Sequence, residues 1–477
     1  MNILVRNGRH VMFVGSAGTG KTILVNDYLS SLSMMEDSYK YVTINMNFYT
    51  DSYALQMQLE QSIDKRSGKT FGPAGAGKLI YFIDDLNLPE VGTYGTQTPI
   101  ALMRQHIDRS EMSLKKNIVD CSYAAVMNHK NGSFFVDPRL QRHFVTFCCQ
   151  IPSEADLTTI FGSILSAHMF NFDRKLKKVA ENLTNATINL YKEVLLKFLP
   201  SAVKFHYNFT LRDLAAVMKG VLNAKSRDYK FAAQLSRLWY HEAMRVFSDR
   251  LISDAEVQRC KEIVVNVGKR FMDDDPGVAY ADPCIFTHFI SPKGLPSEDN
   301  ASYMPCEKTA VLKKVLDTKL QEYNESHAIM SLVLFEQAMK HVTRITRILM
   351  FPGGHALLVG VGGSGKQSLS KLAASICNYD VSQISVTSEF SVNDLKEHLR
   401  ELYRKAGVKP GEPLVFMLTD TQITDERFLV FLNDLLSSGR IPDLFTKEEY
   451  DGIFSSLRNA AKSEGIPDNR ESMMNFF

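Results

Sequence analysis

Gly15-Ser16-Ala17-Gly18-Thr19-Gly20-Lys21-Thr22 gathers flexible backbone, a cation and a hydroxyl into one short stretch. Glycines let successive backbone N–H groups close around an anion, the lysine neutralises its charge, and the hydroxyl that follows is placed to ligate Mg²⁺. Such a set reads a polyphosphate only if a buried strand delivers the chain to the turn and a helix leaves it with its N-terminus toward the phosphates. Both are present. Val11 to Val14 is a short apolar run suited to a parallel strand, and Val25, Tyr28, Leu29 and Leu32 recur at helical spacing. The expectation is a site for ATP or ADP with Mg²⁺.

The layout returns at Gly360-Val361-Gly362-Gly363-Ser364-Gly365-Lys366-Gln367-Ser368. Ala356 to Val359 is expected as its strand, and Leu369, Leu372, Ala373 and Ile376 as its helix stripe. Gln367 stands where the first loop has a hydroxyl, with Ser368 one place further, and an amide is the poorer direct metal ligand. Binding is expected at this second loop; efficient hydrolysis is not. A third stretch, Phe71 to Asn87, carries the same letters at Gly72, Gly77 and Lys78 in the wrong context. Polar "DKRSGKT" precedes it, an apolar run Leu79 to Ile83 follows it, and Leu79 occupies the hydroxyl position. It reads as a loop feeding a core strand.

The tip of that strand matters more, because it ends in Asp84-Asp85. In phosphate-loop ATPases one acid there holds Mg²⁺ through water and a second orients the attacking water. Asp84 takes the first role and Asp85 the second, with Asp84 expected to close on Lys21 and Thr22 from the adjacent strand's end. In the second copy, "FMLTDTQ" sets Thr419 against Asp84 and Asp420 against Asp85. A shift of one makes Asp420 the metal-side acid and Thr421 the substitute; either way one carboxylate remains. "YVTIN" and "SQISV" follow the first helix of each copy, which argues for a duplicated module.

These residues need a scaffold, and 477 residues suggest roughly three or four units. The fold class is α/β: tandem P-loop modules, each a parallel αβα sheet with a helical lid, the second incomplete. Residues 1–150 read as the first αβ subdomain, 151–255 as its lid, and 346–477 as the incomplete second αβ subdomain. Between them, 256–345 is a connecting helical segment that starts with the breakers "DDDPG" and "SPKGLPSEDN". Trp239, the sole tryptophan, is expected in the lid core; His241-Glu242, without a second histidine at metalloprotease spacing, on helix surface. A formal charge of +2 offers no electrostatic case for nucleic acid or membrane. No apolar run approaches bilayer-spanning length, and no signal-peptide layout opens the chain. Seven cysteines form no CxxC pair, so neither a zinc site nor a disulfide framework is indicated, and the scatter fits a reducing compartment.

"VMFVGSAGTGKT", "YFIDDLNLPEVGTYGTQTPIALMRQHID", "DPRLQRHF", "KFHYNFTLRDL", "LLVGVGGSGKQSLSKLAA" and "FLNDLLSSGRIPDLF" together resemble the third and fourth AAA+ modules of a dynein heavy chain, in family order over essentially the whole chain. Gly-Lys-Gln-Ser and Asp-Asp resemble the axonemal branch. The resemblance implies that Asn128 is a sensor-1 residue helping to place the lytic water and Arg212 a sensor-2 arginine. Arg139 and Arg142 would form the finger region that serves the preceding module's site. It further implies ATP-driven, minus-end-directed microtubule motility, in the cytoskeleton and the axoneme of cilia or flagella. The first site would be a regulatory switch with weak hydrolysis, the second a structural holder. Neighbouring AAA+ modules are the direct partners; intermediate chains, light chains and microtubules are reached only through parts expected outside this chain, upstream and downstream. The alternative is a nucleotide-binding scaffold that does not hydrolyse. Two departures from the family stand out. Asp108 passes straight to Arg109-Ser110 without the usual aromatic segment, which bears on packing beside the first site. Asp85 replaces the common Glu and is one methylene shorter, which should slow water activation.

Overall fold

Leu79 to Ile83 are all buried, and their alternation explains the architecture around them. Leu79, Tyr81 and Ile83 enter one hydrophobic core while Ile80 and Phe82 enter another, as a strand covered on both faces requires. The structure, a computed structural model, describes all residues except 74, 76, 113–115, 130–134, 273–274, 291–301, 307, 352, 387–389, 409–412, 443 and 469, and the side chains of 112, 276 and 471. The breaker at 291–300 and part of that at 273–277 thus lie outside the described residues.

The chain divides into two units, one holding Met1–Ile151, Ile384–Arg404 and Leu418–Phe477, the other Pro152–Gln383 and Lys405–Met417. The first opens with α1 (Asn2–Arg6), β1 (His10–Gly15), α2 (Lys21–Met35), β2 (Tyr39–Asn45) and α3 (Ser52–Glu60). Next come β3 (Asp64–Ser67), β4 (Thr70–Gly72), β5 (Lys78–Asp84), α4 (Thr98–Arg109), β6 (Glu111–Met112), β7 (Lys116–Ile118), β8 (Cys121–Met127), α5 (Pro138–Gln141) and β9 (Phe144–Cys149). Five strands form a parallel sheet in the order β2-β5-β8-β1-β9. Val25, Leu29 and Leu32 of α2 cover one face; Leu55 and Leu59 of α3 with Ile100 and Met103 of α4 cover the other. Each fully buried side chain of this kind stabilises by roughly 1.5–3 kcal/mol.

Two expectations need correction here. "DKRSGKT" is not loop: β3 and β4 form an antiparallel hairpin turning at Gly68, whose φ is 55°. Every β3 residue is exposed, so the apolar alternation that marks a half-buried strand is missing. And β5 is not adjacent to β1, because β8 lies between them. The absent aromatic segment after Asp108 leaves no ragged end: α4 stops at left-handed Ser110, whose N–H donates to the His106 carbonyl at 2.7 Å.

The second unit is helical for most of its length. It contains α6 (Glu154–His168), α7 (Arg174–Lys197), α8 (Leu211–Val221), α9 (Ala232–Ala243) continued by a π-helical turn Met244–Ser248, α10 (Asp254–Phe271) and α11 (Pro276–Ala279). The strands β10 (Phe286–Thr287) and β11 (Met304–Pro305) then pair antiparallel. Trp239 is fully buried in this core, its Nε1–H donating to Thr187 Oγ1 at 2.9 Å, and the core runs on through α10 to Tyr303. A separate core joins α12 (Thr309–Ser326), α13 (Glu336–Leu349) and α14 (Lys366–Ile376) through Leu316, Val342 and Leu372. Beyond it, β12 (Asp380–Gln383) pairs parallel with β13 (Leu414–Met417); α15 (Val392–Val408), between them in sequence, belongs for most of its length to the first unit.

His241 and Glu242 are not helix surface. They are 3% and 0% exposed, inside a charged cluster that ties α9 to α13. Arg347 Nη2 and Arg245 Nε lie 3.0 and 2.9 Å from Glu242 Oε2, the Tyr303 hydroxyl donates to Oε1 at 3.1 Å, and His241 Nε2 meets that hydroxyl at 2.8 Å. Burial raises the carboxyl's preference for its neutral form, but the two guanidiniums outweigh it and hold Glu242 down at about 2.

Ala356 to Val359 also departs from expectation. The segment is not a strand, and Leu357 and Val359 are 91% and 89% exposed. In the first copy β1 is held by β8 on one side and β9 on the other; among the described residues no strand follows β13, so this segment has no ladder to join. The first unit resumes with a 3₁₀ turn (Asp420–Gln422), α16 (Phe428–Ser438), α17 (Lys447–Ser463) and α18 (Arg470–Phe476).

Candidate functional site

β1 delivers the chain to Gly15 at the C-terminal edge of the sheet, and α2 departs at Lys21. Gly15 faces Cys149 of β9 so closely that an added Cβ would lie 2.3 Å from the Cys149 carbonyl oxygen. Gly18 and Gly20 have φ of 80° and 82°, the left-handed region that glycine reaches without strain. Lys21 is 8% exposed; its ammonium donates to the carbonyls of Gly15 and Ser16 at 3.0 and 2.6 Å and approaches Thr19 Oγ1 at 3.3 Å. The ammonium is therefore already folded over the loop. Half-buried Thr22 is the second residue of α2.

The start of α2 carries no capping side chain, as is also true of α7, α10, α12 and α13; what sets it apart from these is the glycine loop that leads directly into it. Helices α6, α8 and α17 carry capping boxes, from Ser153, Thr210 and Thr446, which satisfy first-turn N–H groups. At α2 the cap is Gly20 and no side chain caps, so the first-turn N–H groups and the helix dipole face an incoming anion. A glycine cradle closed against β9, an uncapped helix start and a buried lysine fit a nucleotide polyphosphate.

Asp84 closes β5, opposite Asn45 of β2. Asp85 follows with φ of 54°, its N–H donating to Asp84 Oδ1 at 3.0 Å, a left-handed turn that ends the strand's alternation at that point. Because β8 intervenes, the acidic tip stands two ladder spacings from β1, about 10 Å. That span suits a metal held through water rather than direct contact with the lysine. Asn128 leaves the end of β8, in the strand between the two. Leu86 N–H donates to the Val126 carbonyl at 3.1 Å and Asn87 Nδ2 to the Asn128 carbonyl at 2.6 Å, locking the two tips side by side. Sequence reading missed Asn87; its only signal was its place two residues past the acids.

Arg139 lies exposed on α5, and Arg142 just beyond it has Nη2 3.2 Å from Asp108 Oδ1, an atom that His143 Nε2 also meets at 2.8 Å. Arg212 is exposed in the first turn of α8, in the second unit.

The second loop repeats the lysine contacts of the first. Lys366 Nζ donates to the carbonyls of Gly360 and Val361 at 2.6 and 2.8 Å and approaches Ser364 Oγ at 3.5 Å. Gly363 and Gly365 have φ of 76° and 77°, and α14 likewise starts without a side-chain cap. Gly362 has open space around it, Gln367 is exposed, and Ser368 is half-buried. What differs is support: a Cβ on Gly360 would meet only its own loop, at Ser364 and Lys366, with no second strand against it. Asp420 lies exposed in its 3₁₀ turn, past the end of β13 rather than on it.

With this geometry established, comparison with known families is decisive. Residues 1–152 match the family model described as P-loop containing dynein motor region, 160–257 the dynein heavy chain ATPase lid domain, and 330–477 the P-loop containing dynein motor region D4. The chain belongs to the dynein heavy chain family. Across its full length it is 45% identical to the dynein beta chain of the flagellar outer arm of Chlamydomonas reinhardtii and to a ciliary dynein beta chain of Heliocidaris crassispina. To dynein axonemal heavy chain 17 of Homo sapiens it is 44% identical, again over all of this chain. It spans only 10–11% of the length of these dyneins. Among the described residues, no helix of this dynein chain is long and apolar enough to cross a membrane.

Proposed function

We infer that this chain contributes two adjacent AAA+ modules, resembling the third and fourth, to the motor ring of an axonemal dynein heavy chain, and so supports ATP-driven, minus-end-directed movement on microtubules in cilia or flagella. Residues 1–150 are the first αβ subdomain, 151–255 its lid, 256–345 the connection and 346–477 part of the next module. The observation that carries this reading is the buried Lys21 ammonium folded over its glycine loop.

At the first site Gly15 to Thr22 bind ATP or ADP, with Thr22 and Asp84 as the holders of Mg²⁺, which when bound offsets charge on the phosphate oxygens. Asp85 orients the attacking water beside Asn128, and its short reach makes turnover slow, suited to a regulatory switch. Arg212 takes the sensor-2 role; Arg139 and Arg142 serve the preceding module. At the second site Gly360 to Ser368 hold nucleotide, with Asp420 the one metal-side carboxylate, and Gln367 disfavours hydrolysis. Neighbouring AAA+ modules are the direct partners, while intermediate chains, light chains and microtubules belong to the larger assembly in the axoneme.

The test compares wild type with Lys21→Ala. Wild type is expected to retain ADP or ATP on purification, to be stabilised by about 2.7 kcal/mol at nucleotide a hundredfold above Kd, and to show a slow ATPase. Lys21→Ala is expected to lose the ATPase and the first-site share of the bound nucleotide. Equal retention, melting and ATPase in both proteins refutes the assignment. A wild type that binds but shows no ATPase instead supports the scaffold alternative.

A further inference from the structure

The acidic tip of β5 is braced from the side away from β8 by the loop that follows β2. Asn45 pairs with Asp84, Met46 N–H donates to the Asp84 carbonyl at 3.0 Å, and Glu90 N–H, just past the tip, donates to the Phe48 carbonyl at 3.0 Å. The loop is also tied internally, Asn47 N–H to Thr50 Oγ1 and Tyr49 N–H to Asn47 Oδ1, each at 3.0 Å. Whatever moves this loop moves the backbone that carries Asp84.

A segment far away in sequence grips it. Within the same unit, Tyr49 Oη donates to Glu426 Oε2 at 2.7 Å and Asn45 Nδ2 to Ser437 Oγ at 3.3 Å. Between these exposed contacts lies Asp434 of α16, only 7% exposed, with the Asn47 side chain beside its carboxyl. Burial pushes its carboxyl up to about 6, and the nearby Asn47 amide offsets only part of that cost. A carboxylate placed there at such a cost is weak evidence for stability and fits a role in fixing one arrangement of the loop.

We propose that Asp434 is a positioning residue for the first nucleotide site, acting through Asn47 and the residue 46–50 loop to set the Asp84 tip, so that metal-dependent nucleotide binding at one module depends on α16 of the next. The proposal rests on the nucleotide reading of the Lys21 loop and adds an inter-module control to it.

The test uses the full chain with Lys366→Ala as background, so that only the first loop reports, and a fluorescent ADP analogue titrated in Mg²⁺ and in EDTA. Asp434→Ala is expected to weaken binding about tenfold in Mg²⁺ and to leave binding in EDTA unchanged, because the glycine loop is untouched. Asp434→Asn, which keeps a hydrogen-bonding partner for Asn47, is expected to restore most of the loss. Should Asp434→Ala fail to fold, Tyr49→Phe removes the exposed bond to Glu426 and is expected to give a smaller shift in the same direction. An equal loss in both buffers, or no loss in Mg²⁺, overturns the proposal while the nucleotide reading stands. No binding in the background protein overturns both.

Discussion

Glu242→Ala tests the physical account of the buried cluster most severely. Glu242 is fully buried, and its carboxylate faces two guanidiniums of unequal freedom. The Arg245 side chain is 15% exposed and can swing toward water, whereas Arg347 is 5% exposed, with its guanidinium 3.8 Å from the Phe351 ring centre. Removing the carboxylate therefore strands one buried cation. Breaking a buried pair by deleting one partner costs about 3–5 kcal/mol, and Tyr303 adds little because its hydroxyl keeps His241. In a unit of this size about 4 kcal/mol lowers Tm by roughly 8–16 °C. Trp239, the only tryptophan and buried in the same core, makes intrinsic fluorescence a specific reporter of that unit. The reasoning further expects the double variant Glu242→Met with Arg347→Met to recover most of the loss, since two apolar side chains replace a pair that costs desolvation. A loss below about 1 kcal/mol for Glu242→Ala, or a double variant no better than the single, refutes the stranded-charge argument.

Gly220→Ala reverses the usual sign of a helix substitution. Alanine normally favours a helix over glycine by about 1 kcal/mol, but here its Cβ would sit 2.2 Å from Glu242 Oε2, a group pinned by two arginines. A net loss of about 1–3 kcal/mol is expected in a denaturant melt followed by Trp239 fluorescence. Acid sensitivity should begin in the histidine range. Burial holds His10, His106 and His288 down at about 4, and burial with Arg344 nearby holds His241 at about 3. Above pH 6.5 these rings are neutral folded or unfolded. As pH falls below 6.5 the unfolded chain binds protons that the folded one does not, so stability is lost progressively down to about pH 4. Tm measured between pH 8 and 5 should fall, and His106→Gln should flatten the slope.

The Lys21 and Lys366 loops were legible because their chemistry is contiguous: glycine, lysine and the start of a helix follow one another, and carbonyls at equivalent loop positions satisfy each lysine. The Asp84 tip was legible because an apolar run ending in acid is a strand wherever it pairs. The strand order was not, since β8 enters between β5 and β1 from residues well beyond both. Ala356 to Val359 has the composition of β1 and not its fate, because a strand exists only with a ladder. The His241-Glu242 pair looked like surface because, apart from Arg245 one turn on, the groups that enclose it, Tyr303, Arg344 and Arg347, stand far along the chain.

Residue order by itself thus determined the two phosphate cradles, the helices that leave them and the acids at the strand tip, since each depends on backbone preferences and side chains a few positions apart. Tertiary structure alone decided which strand separates lysine from carboxylate, which charges are buried, and that α16 braces the loop beside Asp84. Those outcomes need partners brought together from distant parts of the chain, and no short stretch of sequence contains both halves of such a contact.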